Sequence, residues 1–196
     1  MSLMLYGGIR PIETIPDFGA ALHEHLRAKT NPAVRASSVT AWSLLTEGLR
    51  MLGADVLPEV RFDPNGKSSF ANSPLHFSLS HSGKLAAVLI SEAPCGVDIE
   101  LVRPEVAERL RERCLSDAER ARDCDFFELW TQKECIAKLD GSGMRSHPSE
   151  IDTLDPRWNG RFFTTRIHDS AGQAYALSAL CGDAETLPIT QHDTEA

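Results

Sequence analysis

The segment Gly-Val-Asp-Ile-Glu at residues 96–100 has the alternation of a β-strand. Because successive side chains of a strand point to opposite faces, Asp98 and Glu100 lie on one face while Val97 and Ile99 lie on the other. Two carboxylates held this close repel each other unless a cation or a proton lies between them. The pattern predicts either a pair of cation-binding acids or a solvated strand face, and both interpretations stay open at this point.

A second segment, Trp-Thr-Gln-Lys-Glu-Cys-Ile-Ala-Lys at residues 130–138, has the spacing of a partly buried helix. Trp130, Glu134 and Lys138 follow one another at four-residue steps and therefore share one helix face. Lys133 adjoins Glu134, so we expect a cation on each side of this acid. A simple surface ion pair between Glu134 and Lys138 is the alternative interpretation.

Together the two segments predict a site for a divalent cation and a phosphate. Carboxylate oxygens without histidine or cysteine partners suit Mg²⁺, which binds one or two carboxylates together with water and phosphate oxygens. We therefore predict Asp98, Glu100 and Glu134 as metal ligands. Lys138 would offset negative charge on the same phosphate.

The composition limits the kind of protein that carries this site. The chain has 196 residues, 42% of them apolar, and a net charge of −8. This length suits one sizeable domain or two small ones, and the acidic balance disfavours a nucleic-acid partner. Five cysteines without a CxxC pair indicate reduced thiols, and no segment has the pattern of a signal peptide or a membrane span. We expect a soluble cytoplasmic protein without a membrane partner.

Hydrophobic periodicity and turn residues predict the elements that must position the site. Groups of helices followed by a hairpin occur twice. This order predicts an α+β fold of two similar halves, residues 1–101 and 102–196. The expected helices cover residues 17–29, 33–52, 104–122 and a segment around 130–138 that ends near 141; the expected strands cover 60–62, 76–81, 85–90, 97–101, 160–168 and 173–181; the tail after 182 is expected to fray.

The two acidic segments, in this order and spacing, resemble the paired signature of the 4′-phosphopantetheinyl transferases of the Sfp type. Upstream, residues 77–83 (Phe-Ser-Leu-Ser-His-Ser-Gly) resemble the family's strand that ends in Ser-His-Ser. Residues 65–67 (Asn-Gly-Lys) resemble its Gly-Lys-Pro turn, with Ser68 in place of proline, and Arg35 resembles its N-terminal basic motif. The resemblance covers about residues 33–140.

The resemblance implies two α+β halves arranged as a pseudo-dimer, with coenzyme A bound between them as substrate and Mg²⁺ as cofactor. The enzyme would move phosphopantetheine from coenzyme A to a serine of an acyl or peptidyl carrier protein and release 3′,5′-ADP. Carried over by position, the resemblance implies that Asp98, Glu100 and Glu134 bind the metal and that Lys138 contacts the transferred phosphate. It implies that coenzyme A is held by Arg35, Lys67, Ser80 and His81.

The acceptor of the serine proton is the least determined part of this interpretation. Glu119 lies where some relatives place a general base, and a water molecule bound to the metal is the alternative. Two other functions remain open: a different Mg²⁺-dependent phosphoryl-transfer or phosphate-hydrolysing enzyme, and a protein that only binds coenzyme A or a carrier. Two halves in one chain would allow the protein to act as a monomer.

Overall fold

The protein has a mixed α+β fold, as predicted, in a computed structural model that describes residues 1–12, 14–122, 124–141, 147–182 and 187–192. The strands are β1 (Ser2–Gly8), β2 (Val60–Phe62), β3 (Ser68–Phe70), β4 (His76–Ser82), β5 (Leu85–Ser91), β6 (Gly96–Leu101), β7 (Phe162–His168), β8 (Ala174–Leu180) and β9 (Ile189–Gln191). The helices are α1 (Ala20–Arg27), α2 (Pro32–Met51), α3 (Glu108–Cys114), α4 (Asp117–Arg120) and α5 (Phe126–Asp140), and 3₁₀ turns occupy Pro148–Glu150 and Pro156–Trp158.

Two sheets form the centre of the molecule. The first has the order β4-β5-β1-β9, the second the order β6-β8-β7, and β2 and β3 form a separate hairpin. All pairings are antiparallel except that of β1 with β9. The predicted hairpin of β4 and β5 is confirmed, with Ser82 opposite Leu85 at its closed end.

The two sheets lie between helices. One face of the first sheet packs against α1 and α2 in a core that includes Leu5, Val88 and Leu45. Its other face packs against the second sheet through residues such as Leu89 and Leu177. Both faces of β5 are covered, so all of its residues are buried. The opposite face of the second sheet packs against α5.

The local signals in the sequence explain the start of α2. The Asn31 side chain accepts hydrogen bonds from the backbone N–H groups of Ala33 and Val34, and Pro32 occupies the first helical position. Both residues suit these places, because an N-cap oxygen satisfies free N–H groups and proline lacks an N–H. No helix among the described residues is long and apolar enough to cross a membrane.

The structure differs from the predicted elements at both ends of the chain. Residues 2–8 form β1, which the sequence analysis missed, and the tail was wrongly expected to fray throughout. Ile189–Gln191 pairs in parallel with β1, and Leu187 is buried beside it. A three-residue strand is too short to show periodicity, and its partner lies at the far end of the chain.

The single helix predicted over residues 104–122 is also wrong, since α3 and α4 occupy separate parts of this stretch. Ser116 caps α4: its hydroxyl accepts from the Glu119 N–H, and the Glu119 carboxylate accepts from the Ser116 N–H. This capping box begins a new helix and so interrupts the old one.

Strands of the two predicted halves share both main sheets. The strand β6 pairs with β8, and β9 pairs with β1. The division into residues 1–101 and 102–196, and the similarity of the two halves, stay predictions.

Three serines of β4 join the two sheets, and we call them the serine ladder: Ser78, Ser80 and Ser82. Their hydroxyls accept hydrogen bonds from the backbone N–H groups of Val97, Ile99 and Leu101, at 3.0, 3.3 and 3.1 Å. β4 and β6 each stand at the end of their sheet. The ladder therefore supplies acceptors that β6 would otherwise find in a neighbouring strand.

Gly96 allows α5 to approach β6 closely. A Cβ atom at this position would lie 2.1 Å from the backbone oxygen of Cys135. Cys135 is fully buried and its thiol donates to the Ser178 carbonyl at 3.2 Å. The helix that carries Glu134 and Lys138 thus rests directly on the backbone of β6.

We expect Gly96→Ala to lower the free energy of unfolding by about 3 kcal/mol, because the obstacle is helix backbone that cannot move alone. Gly182→Ala is the matched control, since a Cβ there meets no atom within 4 Å. Denaturant unfolding followed by circular dichroism measures both variants. Equal stability of the two variants would contradict the close contact between α5 and β6.

Candidate functional site

Asp98 and Lys138 bring the two acidic segments into contact. The Lys138 ammonium lies 2.7 Å from Asp98 Oδ1 and also donates to the Val97 carbonyl at 2.8 Å. The Ser80 hydroxyl donates to the same Oδ1 atom at 2.7 Å. Asp98 is only 6% exposed, so these partners stabilise a carboxylate that is largely removed from water. The strand face and the helix face predicted from the sequence therefore meet.

The other two predicted acids lie beside this pair. Glu100 accepts from the Ser82 hydroxyl at 3.0 Å and forms an ion pair with Arg103 at 3.4 Å. Glu134 is half-buried and has no hydrogen bond or ion pair with the residues that the structure describes. The surface ion pair of Glu134 with Lys138 is thus not formed, because Lys138 turns to Asp98.

The three carboxylates influence one another. Burial, the Asp98 charge and the Glu100 charge raise the pKa of Glu134. Burial and the Asp98 charge likewise raise the pKa of Glu100, against the opposing effects of Ser82 and nearby cations. A cluster of this kind favours a bound cation, which would relieve the repulsion.

The donor set fits Mg²⁺ in atom type and charge, since it consists of carboxylate oxygens alone. Within the described ranges, however, no three histidine, cysteine or acidic side chains already form a group that could hold a metal ion. The positive charge at Asp98 is supplied by Lys138 instead.

A basic cleft opens next to the acids, with a volume of about 410 Å³. Its walls come from α1, α2, β4, α5 and the loop between β2 and β3. The basic side chains that line it are His25, Lys29, His81 and Lys138, and none of the described residues in its lining is acidic. Such a concave group of cations suits an anionic ligand.

The pKa of His81 is lowered in this environment. Burial is the main cause that lowers the pKa of His81, and the charges of Lys138 and Lys29 lower it further. Burial and Lys29 also lower the pKa of His25, whose ring stacks on Phe62 at a centroid distance of 4.3 Å. Both imidazoles therefore give up their protons more easily than a free histidine does.

The predicted coenzyme A contacts occupy different places. His81 and Lys138 line the cleft, and Lys67 and Lys138 line an adjoining hollow of about 280 Å³. The Lys67 ammonium donates to the Leu139 carbonyl at 3.0 Å, near the end of α5. Arg35 lies outside the lining of the cleft, and its guanidinium donates twice to the Lys29 carbonyl, at 3.0 and 2.8 Å.

Sequence reasoning missed His25 and Lys29. A spacing of four residues places both side chains on the same side of the chain, although Lys29 lies just after the end of α1. This spacing is visible in the sequence and could have identified the pair. It was not recognised because α1 and β4 come to line the same cleft only in the folded chain.

Glu119 lies in a buried ion pair on the other side of α5. Its carboxylate is 2.6 Å from the Lys133 ammonium, and both side chains are 0% exposed. It also accepts from the Ser116 N–H at 2.8 Å and from the Thr153 hydroxyl at 2.7 Å. Burial alone would raise the pKa of Glu119, but the hydrogen bonds from Lys133, Thr153 and Ser116 outweigh it and lower the pKa.

Lys133 corrects one sequence interpretation. It was expected to flank Glu134, yet it points to Glu119 and to the Ile151 carbonyl, at 2.5 Å. Adjacent helix residues point about 100° apart, so the two side chains reach different surroundings. The role of Glu119 as a base stays a prediction, and the structure places all its contacts inside the protein.

The match to a family profile includes both acidic segments. The profile of the 4′-phosphopantetheinyl transferase superfamily matches residues 94–190. The chain is 38% identical over 132 residues to the 4′-phosphopantetheinyl transferase AcpT of Salmonella typhimurium, which covers 61% of this chain and 66% of that protein. It is 37% identical over 89 residues to psf-1 of Bacillus pumilus, covering 41% and 38%, and 32% identical over 97 residues to Sfp of Bacillus subtilis, covering 44% and 43%. The matched region thus spans just under two thirds of AcpT and less than half of the other two.

We expect Glu119→Gln to lower the free energy of unfolding by about 3 kcal/mol, because it leaves the Lys133 charge buried without its partner. The wild-type contribution is full above the ordinary glutamate pKa of 4.5 and is lost as the pH falls through the lowered folded value. Denaturant unfolding at several pH values measures both effects, with the exposed Glu112→Gln as control.

A double variant separates a structural role of Glu119 from catalysis. Glu119→Gln combined with Lys133→Met should regain much of the lost stability, since no charge is then buried alone. A single variant that keeps wild-type stability but loses turnover would contradict this account and support Glu119 as the base.

Proposed function

This chain belongs to the 4′-phosphopantetheinyl transferase superfamily, and on that premise we propose that it transfers 4′-phosphopantetheine from coenzyme A to a serine of an acyl or peptidyl carrier protein. One observation carries the proposal: the Asp98–Lys138 contact joins the two matching segments at the edge of a basic cleft. An acidic cluster beside a group of cations suits the chemistry of a pyrophosphate. The segments favour the Sfp type within the superfamily.

The basic cleft would hold the phosphates of coenzyme A. His81, Lys29 and Lys138 converge there, and Lys67 extends the positive charge into the adjoining hollow. Arg35 would act on coenzyme A only indirectly. Its guanidinium donates to the Lys29 carbonyl and so holds the chain at the end of α1. The cleft lies between structural parts of the two predicted halves, α1, α2 and β4 on one side and α5 on the other.

Asp98, Glu100 and Glu134 would hold Mg²⁺. When bound there, Mg²⁺ would offset the negative charge of the pyrophosphate that is cleaved. Lys138 would add a second positive charge; its ion pair with Asp98 and its position in the lining of the cleft support this role. Burial and the charges of neighbouring carboxylates raise the pKa of Glu134 and Glu100, and a bound cation would offset the repulsion between these acids, which supports the assignment.

In the reaction, the serine oxygen would form a bond to the phosphorus that carries pantetheine. The bond from that phosphorus to the bridging oxygen would break, and 3′,5′-ADP would leave with the electron pair. The serine proton would pass to a base within hydrogen-bond reach. Cationic side chains at the cleft would stabilise the charge that develops on the leaving group.

We also propose that the protein works as a monomer in the cytoplasm. All five cysteines are free thiols and four of them are buried, which suits a reducing compartment. Both predicted halves lie in one chain, so a second copy is not required to form the cleft.

Mass spectrometry of an apo carrier protein incubated with this protein, coenzyme A and Mg²⁺ tests the reaction. We expect one serine of the carrier to gain the mass of a phosphopantetheine. Asp98→Asn should abolish the gain, because it removes the carboxylate charge at the centre of the site. The exposed Asp55→Asn should retain it. The absence of any gain with several carriers would contradict a transferase.

The lowered pKa of His81 predicts a pH dependence for coenzyme A binding. A phosphate favours the protonated imidazole, so binding takes up a proton and affinity rises as the pH falls from about 8 to about 6. A charged hydrogen bond of this kind contributes about 1.5–3 kcal/mol, or roughly tenfold or more in affinity.

Isothermal titration calorimetry of the wild type and His81→Gln at both pH values isolates this effect, because the titration of coenzyme A itself affects both proteins equally. His76→Gln, on the same strand but outside the lining of the cleft, is the control. An identical pH dependence in the wild type and His81→Gln would exclude a His81 contact with phosphate.

A further inference from the structure

We propose that Ser80, and in the same way Ser82, are positioning residues that decide which oxygen of the acidic side chain faces the cation. The inference rests on the proposed function, because it concerns the same acidic cluster. It assigns Ser80 a role different from the coenzyme A contact that the sequence predicted.

The two oxygens of Asp98 have different surroundings. Oδ1 accepts from both Ser80 and Lys138, each at 2.7 Å. Oδ2 has no hydrogen-bond partner among the described residues. Among those residues, Nε1 of Trp158 is the one side-chain polar atom that is buried and has no partner. Because Oδ2 also has no partner, it cannot be buried in this sense and must reach solvent. Oδ2 is therefore the oxygen available to a cation.

The direction of the Ser80 hydroxyl proton is determined by the fold. Ser80 is buried, and its oxygen accepts the N–H of Ile99 at 3.3 Å. A hydroxyl has a single proton, which here points to Asp98 Oδ1. When Lys138 turns to a phosphate, Ser80 remains as the donor that holds Oδ1 in place.

The same geometry repeats along the strand. The Ser82 hydroxyl accepts from the Leu101 N–H at 3.1 Å and donates to Glu100 Oε2 at 3.0 Å. Ser78 accepts from the Val97 N–H at 3.0 Å, but the corresponding residue of β6 is Gly96, which has no side chain. The serine ladder thus contains two serines that hold a carboxylate and one that only joins the strands.

This difference provides a matched comparison. Ser78→Ala and Ser80→Ala each remove one acceptor of a β6 N–H, but only Ser80→Ala releases a carboxylate. We expect Ser80→Ala to weaken Mg²⁺ binding to the free protein roughly tenfold or more, as for other residues that orient a metal ligand. Ser78→Ala should change it by less than about twofold, and Ser80→Thr, which keeps the hydroxyl, should restore the affinity.

Isothermal titration with Mg²⁺ alone measures these affinities without any turnover, and thermal unfolding shows whether each variant is folded. If Ser80→Ala does not fold, Ser82→Ala applies the same test to Glu100. Equal Mg²⁺ affinity in Ser78→Ala and Ser80→Ala would overturn the positioning role. If Ser80→Ala does not fold, a folded Ser82→Ala with the Mg²⁺ affinity of the wild type would overturn it instead. If the wild type binds no Mg²⁺, the metal site itself fails and this inference with it; wild-type binding that Ser80→Ala leaves intact overturns the inference alone.

Discussion

Hydrogen bonds between the hydroxyls of β4 and the backbone of β6 are the constraint on which the rest of the structure depends. An end strand leaves N–H groups unpaired, and burying them without acceptors would cost free energy. The serine ladder meets this need with side chains at every second residue of β4. Two of the same hydroxyls also hold Asp98 and Glu100. One set of atoms therefore joins the sheets and orients the acids.

Helix α5 is held from two sides by ion pairs, one fully buried and one partly buried. Lys133 binds Glu119 on one side, and Lys138 binds Asp98 on the other. These lysines are five residues apart and so point about 140° away from each other around the helix. Rotation or sliding of α5 would break at least one pair and leave a charge buried alone, which is strongly unfavourable. Together with the close contact at Gly96, the two pairs determine where Glu134 lies.

The two ion pairs have different surroundings and so suit different roles. The Glu119 carboxylate has partners on both oxygens and no exposure, which is typical of a group that stabilises the fold. In Asp98, by contrast, the Oδ1 atom accepts from both Ser80 and Lys138. Glu134 and Glu100 lie beside it, and the pKa of each is raised. Perturbed carboxylates next to a concave basic surface are typical of a functional site.

The sequence by itself determined which acids share the face of β6 and which residues share the face of α5, because alternation along a strand and four-residue steps along a helix are local properties of the backbone. It could not show that Lys133 faces Glu119, that Arg35 holds the Lys29 carbonyl, or that His25 and Lys29 line the cleft. These contacts join residues distant in sequence, or depend on which way a helix is rotated in the fold. The pairing of β9 with β1 spans nearly the whole chain for the same reason. Only the packing of α1, α2 and α5 around the two sheets selects, among the many charged residues, those that meet.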